Sequence, residues 1–176
     1  MRTHVCTGGA VVSATLLAFN IFGNTDMTPP AHASNDIAIS GTYVATYIGD
    51  WARTNSVYRD EQVTRSTWTI TSSCSTAQDC EGQVTSDQGW SARLYTHDGV
   101  MWFVQRDVPD WETCEDGTAF PGHETTYFYS TDMTTGRQQP GSSILGGRVK
   151  TVGPSGACGV NKSLTIDMPF RLDKIA

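Results

Sequence analysis

Between Arg106 and Glu124 the chain reads RDVPDWETCEDGTAFPGHE, which places Asp107, Asp110, Glu112, Glu115, Asp116 and Glu124 within 19 residues. Carboxylates this dense suit two chemistries. One is ligation of calcium by hard oxygen donors. The other is hydrolysis by a carboxylate pair, Asp107, Asp110 or Glu112, held roughly 5–10 Å apart across a cleft. The spacing lacks the D-x-D-x-D-G run and closing Glu of an EF-hand loop, so the stretch reads equally well as a solvated connection pinned by Cys114.

Other catalytic patterns are thin. His97 precedes Asp98-Gly99 and His123 follows Pro121-Gly122, so both are expected in turns, away from a Ser or Cys nucleophile. No G-x-S-x-G elbow, P-loop or dinucleotide glycine pattern occurs. The glycine-rich run GGRVKTVGPSGACG lacks the Gly-Lys-Ser/Thr ending that would cradle phosphate. No cofactor is expected, and no catalytic residue is assigned.

The cysteines point to cross-links. The N-terminal stretch MRTHVCTGGAVVSATLLAFNIFG has a basic start and an apolar run from about Val5 to Phe22, and Ala31-His32-Ala33 forms a small-x-small cleavage site. That layout predicts a signal peptide over 1–33, with an uncleaved membrane anchor as its alternative. Removal leaves Cys74, Cys80, Cys114 and Cys158, an even set in an exported chain, hence two disulfides. Of three pairings, Cys74–Cys80 with Cys114–Cys158 is expected, because STAQD alone separates the first pair. Zinc sites usually draw their ligands in close doublets, which Cys114 and Cys158 lack, so no metal site is expected.

The aromatic residues are the better candidates for function. Trp68 and Trp102 sit centrally in strand-like runs and read as core. Trp51, Trp90 and Trp111 follow GD, QG and PD, which places them at strand ends or in loops, where a Trp can meet a ligand or partner. With Asp110 they form the expected binding set.

Positioning these residues requires a β framework. Beyond the leader no stretch sustains helical apolar spacing; short runs rich in Thr, Val, Tyr and Trp recur between Gly, Asp, Asn and Pro. Strands are expected around Thr42–Ile48, in VTRSTWTITSS, EGQVTS and ETTYFYS, on both sides of Asp98-Gly99, and in SSILGGRVKTV and KSLTIDMPFRLDKI. Pro169 needs a bulge or an edge, since it cannot donate to a ladder. About seven to eight strands make an all-β antiparallel domain over 41–176, a small barrel or a sandwich, closed if the first and last strands pair. Residues 34–40 read as a flexible lead-in, and 131–142 as a mobile loop.

The pieces GTYVATYIGDW, STWTITSSC, MWFV, CEDGT, ACG, SLTI and FRLDKI give the chain a resemblance. It resembles small exported proteins of mycobacteria and related actinobacteria, and is similar to segments lying outside the membrane on some serine/threonine kinases of those bacteria. The resemblance implies an all-β domain in the envelope or outside the cell, and transfers no functional residue.

Acids outnumber bases 18 to 12, for a net charge of -6, and the bases are scattered, so no nucleic-acid footprint is expected. Membrane contact is expected only through an uncleaved leader. The leading expectation is a secreted, non-catalytic domain that binds a small ligand or an envelope protein. Its alternatives are an envelope-directed hydrolase using the loop carboxylates, and a structural or inhibitory surface protein. A cavity lined by Tyr43, Tyr47 and Trp68 would favour the small ligand; a filled core would favour the protein partner.

Overall fold

The computed structural model describes residues 37–176. The expected leader and residues 34–36 lie outside the described residues. From Gly41 onward the chain is built of β-strands and two single-turn 3-10 segments. The strands are β1 (Gly41–Tyr47), β2 (Arg53–Thr54), β3 (Val57–Tyr58), β4 (Thr64–Cys74), β5 (Cys80–Ser86), β6 (Ser91–Thr96), β7 (Trp102–Thr113), β8 (Ala119–Ser130), β9 (Ile144–Val152) and β10 (Thr165–Lys174).

Every pairing is antiparallel, in the order β1-β4-β5-β6-β7-β8-β9-β10, and β1 pairs back onto β10 with Tyr43 opposite Lys174 and Tyr47 opposite Phe170. Eight strands therefore close a barrel, which decides between barrel and sandwich. Closure satisfies the edges of the first and last long strands. The β2–β3 hairpin, which local patterning did not predict, attaches to β10 through Ile166–Thr54 and Asp167–Arg53.

Pro169 sits where β10 changes neighbours from β1 to β2. Its carbonyl accepts Ile48 N–H at 3.0 Å, so its missing N–H faces the same junction rather than a ladder. The expected edge-like position is met inside a closed barrel.

An eight-stranded barrel is just wide enough for side chains to fill. Alternation turns Tyr43 and Ala45 of β1, Trp68 and Ile70 of β4, and Leu94 of β6 inward. Val104 of β7, Phe128 of β8, Leu145 and Val149 of β9, and Phe170 and Leu172 of β10 join them. Aromatic rings run through the centre: Trp68 lies 5.1 Å from Phe170 and 5.2 Å, edge to face, from Trp90, while Phe170 lies 5.1 Å from Tyr47. The centre is filled. Tyr43 lines a cavity at one end of the barrel and Tyr47 a cavity at the other, with Trp68 packed between them.

Both expected disulfides form, Cys74–Cys80 across the β4–β5 turn and Cys114–Cys158 between the β7–β8 turn and the 153–164 connection. Two segments outside the strands are fixed by specific contacts, and one local expectation, that of the acidic stretch, is corrected. In the lead-in, Ile37, Ala38 and Ile39 pack on the core, Ile39 N–H donates to Ser72 Oγ at 2.9 Å, and that hydroxyl returns a bond to Ile39 O at 2.7 Å. The 131–142 segment is likewise tied, with Asp132 Oδ1 accepting the N–H groups of Thr134 and Thr135 at 2.7 and 2.9 Å. The acidic stretch is a hairpin of two long strands rather than a solvated loop, because its polar residues alternate with a face the barrel needs.

Candidate functional site

Strand direction assigns the connections to two ends. The lead-in end carries residues 37–40, the β4–β5 turn, the β6–β7 loop, residues 131–143 and the C-terminus of β10. The hairpin end carries residues 48–63 with β2 and β3, the turn before β6, the β7–β8 turn and residues 153–164. Trp51, Trp90, Asp110 and Trp111 all fall at the hairpin end or in the strand ends that form it.

A bulge shapes that end. The β7–β8 register passes from Val108–Gly122 to Glu112–Phe120, so Pro109, Asp110 and Trp111 stand against Pro121 alone. Asp110 adopts φ 51°, a left-handed conformation that Asp tolerates better than most residues. Bulges re-aim side chains; this one lays Trp111 over two glycines. A Cβ on Gly122 would stand 2.7 Å from Trp111 Cδ2, and one on Gly153 would stand 3.1 Å from Trp111 Cζ3. Trp111 is therefore a half-buried residue near the end of β7, one of the two places expected for it.

Beneath it lies a buried polar group. Glu124 of β8 is 7% exposed and Oε1 accepts Arg106 Nε–H at 2.7 Å. The Arg106 guanidinium also lies 4.3 Å from the Trp90 ring centroid, and its charge acts on the Tyr47 phenol. Burial, and then the Glu124 charge, push the Tyr47 phenol well above its ordinary value, so it is neutral and can donate. Tyr47, Glu124 and Trp111 line a cavity of about 250 Å³ with Gln62, Thr151 and Met168. Its charged wall residues, Glu61 and Glu124, are both acids. Trp90 Nε1 and Glu112 Oε2 are buried without a hydrogen-bond partner.

The barrel has a known likeness. The monomer form of the M. tuberculosis PknI sensor domain is similar to it, with a TM-score of 0.55 and 12% identity, over 79% of this chain and 88% of that chain. At that identity the likeness is one of fold. The expected similarity to extracellular kinase segments is supported to that extent; the similarity to small exported mycobacterial proteins is not. No protein-family model matches the chain, and no curated protein matches it.

On the barrel shared with the PknI sensor domain, the sequence-predicted residues occupy different surroundings. Trp111 walls the cavity. Trp90 packs behind it, between Trp68 and Arg106. Trp51 is 62% exposed on the 3-10 turn Gly49–Trp51, and Asp110 is exposed on the bulge. The three hydrolytic candidates diverge as well: Asp107 is exposed and paired with His123 Nδ1 at 2.9 Å, Asp110 stands on the bulge, and Glu112 is packed against Gly153. His97 bonds Asp79 at 3.1 Å at the lead-in end, far along the chain from His123. Among the described residues no group of three or more His, Cys, Asp or Glu gathers as a metal site would require.

Sequence reasoning missed Arg106 as a site residue, named Tyr47 only in the lining of an interior cavity with Tyr43 and Trp68, and gave Glu124 only a calcium role. A signal existed. Arg106 shares parity with Trp102 and Val104 on β7, and Glu124 with Thr126 and Phe128 on β8, so both charges were due to face inward, where a lone charge is costly.

Proposed function

We propose that this chain is an exported, non-catalytic β-domain that binds a small ligand through its hairpin end, outside the cytoplasmic membrane. The observation that carries the reading is the cavity walled by neutral Tyr47, buried Glu124 and the Trp111 ring. Its volume of about 250 Å³ falls just below the range of drug-sized ligand pockets, which begins at about 300 Å³, so only a compact group would fit. It suits a compact group with hydrogen-bond donors or a positive charge: Glu124 accepts one hydrogen bond and keeps acceptor capacity, and the face of Trp111 favours a cation. The net charge of -6 draws such a group weakly at physiological salt.

Two disulfides fit an oxidising compartment and the expected leader fits export. The fold shared with a sensor domain supports recognition over catalysis. In this reading Trp111 and Asp110 form the bulged rim, Trp90 backs Arg106, and Trp51 contacts the outer part of the ligand. A protein partner is the second reading, favoured by the filled barrel centre and by Trp51, Val57 and Tyr58, all more than 60% exposed on one short segment.

Native mass spectrometry of the protein purified from its host tests the proposal. A small bound mass is expected on the wild type and lost in Trp111→Ala and Glu124→Gln. A mass retained equally by both variants, or a protein chain retained in its place, overturns the small-ligand reading.

A further inference from the structure

The opposite mouth of the barrel carries the opposite charge. A cavity of about 430 Å³ opens at the lead-in end, within the range of ligand pockets. Its floor is Tyr43, Trp102 and Leu145, each at most 3% exposed. One wall is Ile37–Ser40, clamped by the paired Ile39–Ser72 hydrogen bonds, and another is the tied segment around Gln138–Ser143. Ser142 Oγ donates to Thr131 O at 2.9 Å and holds that second wall to the barrel.

Lys174 is the single charged residue in the lining, in a chain whose net charge is -6. Its ammonium lies 5.9 Å from the Tyr43 ring centroid and has no ion-pair partner among the described residues. No Asp or Glu lines this cavity, whereas the hairpin-end cavity has two acids in its wall and no base. The hydroxyls of Ser130 and Ser143 add uncharged polar groups to the rim region.

We propose that the lead-in end is a second binding site, for a small anionic amphiphile: an apolar body held between Ile37, Ile39 and Val100, over the floor of Tyr43, Trp102 and Leu145, with a carboxylate-type head at Lys174. Charge complementarity selects this class. The half-exposed apolar walls, Ile37, Ile39 and Val100, supply the area a ligand buries, Lys174 without an ion-pair partner sets the sign, and the lack of wall acids spares the head group repulsion. A cationic amphiphile of equal length would bury the same tail and gain nothing at Lys174. This site is separate from the hairpin-end cavity, so either assignment can fail without the other.

Isothermal titration calorimetry of the full chain with decanoate, decanol and decyltrimethylammonium tests the assignment. Decanoate is expected to bind more tightly than the cation, by up to about fivefold, the advantage an exposed ion pair can supply. Lys174→Met, which keeps the apolar stem, should abolish that preference, and Lys174→Arg should restore it. Val100→Trp, which fills the cavity from its lining, should remove the decanoate heat while leaving the melting transition cooperative. No decanoate binding, equal binding of all three probes, a preference unchanged in Lys174→Met, or undiminished binding by a folded Val100→Trp would each overturn the proposal.

Discussion

Trp111 lies across Gly122 so closely that a single methyl group would not fit between them: a Cβ there would stand 2.7 Å from Trp111 Cδ2 and 2.7 Å from Thr151 Cγ2. The bulge at Pro109–Trp111 and the missing side chain at Gly122 are thus two parts of one arrangement. The bulge releases the ring from strand alternation, and the glycine gives it a seat over the cavity.

Gly122→Ala should therefore displace Trp111. Overpacking of this kind costs about 1–3 kcal/mol, and thermal unfolding would show it as a lowered midpoint. Increased acrylamide quenching of tryptophan emission should accompany the loss. A variant with wild-type melting and unchanged quenching would mean the ring has another place to rest.

The Arg106–Glu124 pair makes an asymmetric prediction. The two side chains are 16% and 9% exposed, so removing one partner strands a buried charge. Arg106→Met should cost about 3–5 kcal/mol in chemical denaturation. The double variant Arg106→Met with Glu124→Leu should recover much of that, because nothing charged is then left buried. A double variant as unstable as the single one would show that the pair acts mainly through Arg106 stacking on Trp90.

The two disulfides should differ in weight. Closing the short Cys74–Cys80 loop, with a sequence separation of 6, removes less chain entropy than closing Cys114–Cys158, with a separation of 44. The chain-entropy relation gives about 2 kcal/mol for the first and about 4 kcal/mol for the second. Paired Cys→Ser variants measured by urea unfolding would test the order, and non-reducing peptide mapping would test the pairing itself.

Tyr47 predicts alkaline behaviour. Burial first, and Glu124 second, raise its phenol above the ordinary 10.0, and burial raises Tyr43 as well. A raised folded pKa favours the neutral form, so its contribution to stability is complete below about pH 10 and is lost as pH climbs toward the folded value. Ultraviolet titration of phenolate should show two tyrosines ionising late, together with unfolding. Tyr47→Phe should remove one of them and flatten the alkaline loss of stability. Early, fully reversible ionisation of all six tyrosines would contradict the burial of both rings.

Particular residues show what was legible before the fold was known. The alternation around Trp68 and Ile70 was readable because a strand has period 2 and one face must leave water. The Cys74–Cys80 staple was readable because so few residues separate the cysteines. The 97–101 loop was only partly readable: Asp98-Gly99 marks the reversal between β6 and β7, yet five residues rather than two make the connection. There Asp98 Oδ1 takes the N–H groups of Val100 and Met101 at 2.8 Å, which stabilises a wider turn. The β2–β3 hairpin escaped notice because two-residue strands have too few residues to show a period.

What the sequence determined by itself is therefore local: an all-β chain, its strand faces, its cross-links, and tryptophans at strand ends. Closure, the bulge and the two mouths were decided by tertiary structure. Alternation is identical in a sandwich and a barrel, and only the pairing of β1 with β10 tells them apart. Tyr47, Arg106 and Glu124 lie on three different strands, far apart in the chain, so their burial as one group exists only once the barrel is closed. The opposite charges of the two mouths follow from the same cause, since strand direction sends Lys174 to one end and Glu61 and Glu124 to the wall of the other cavity.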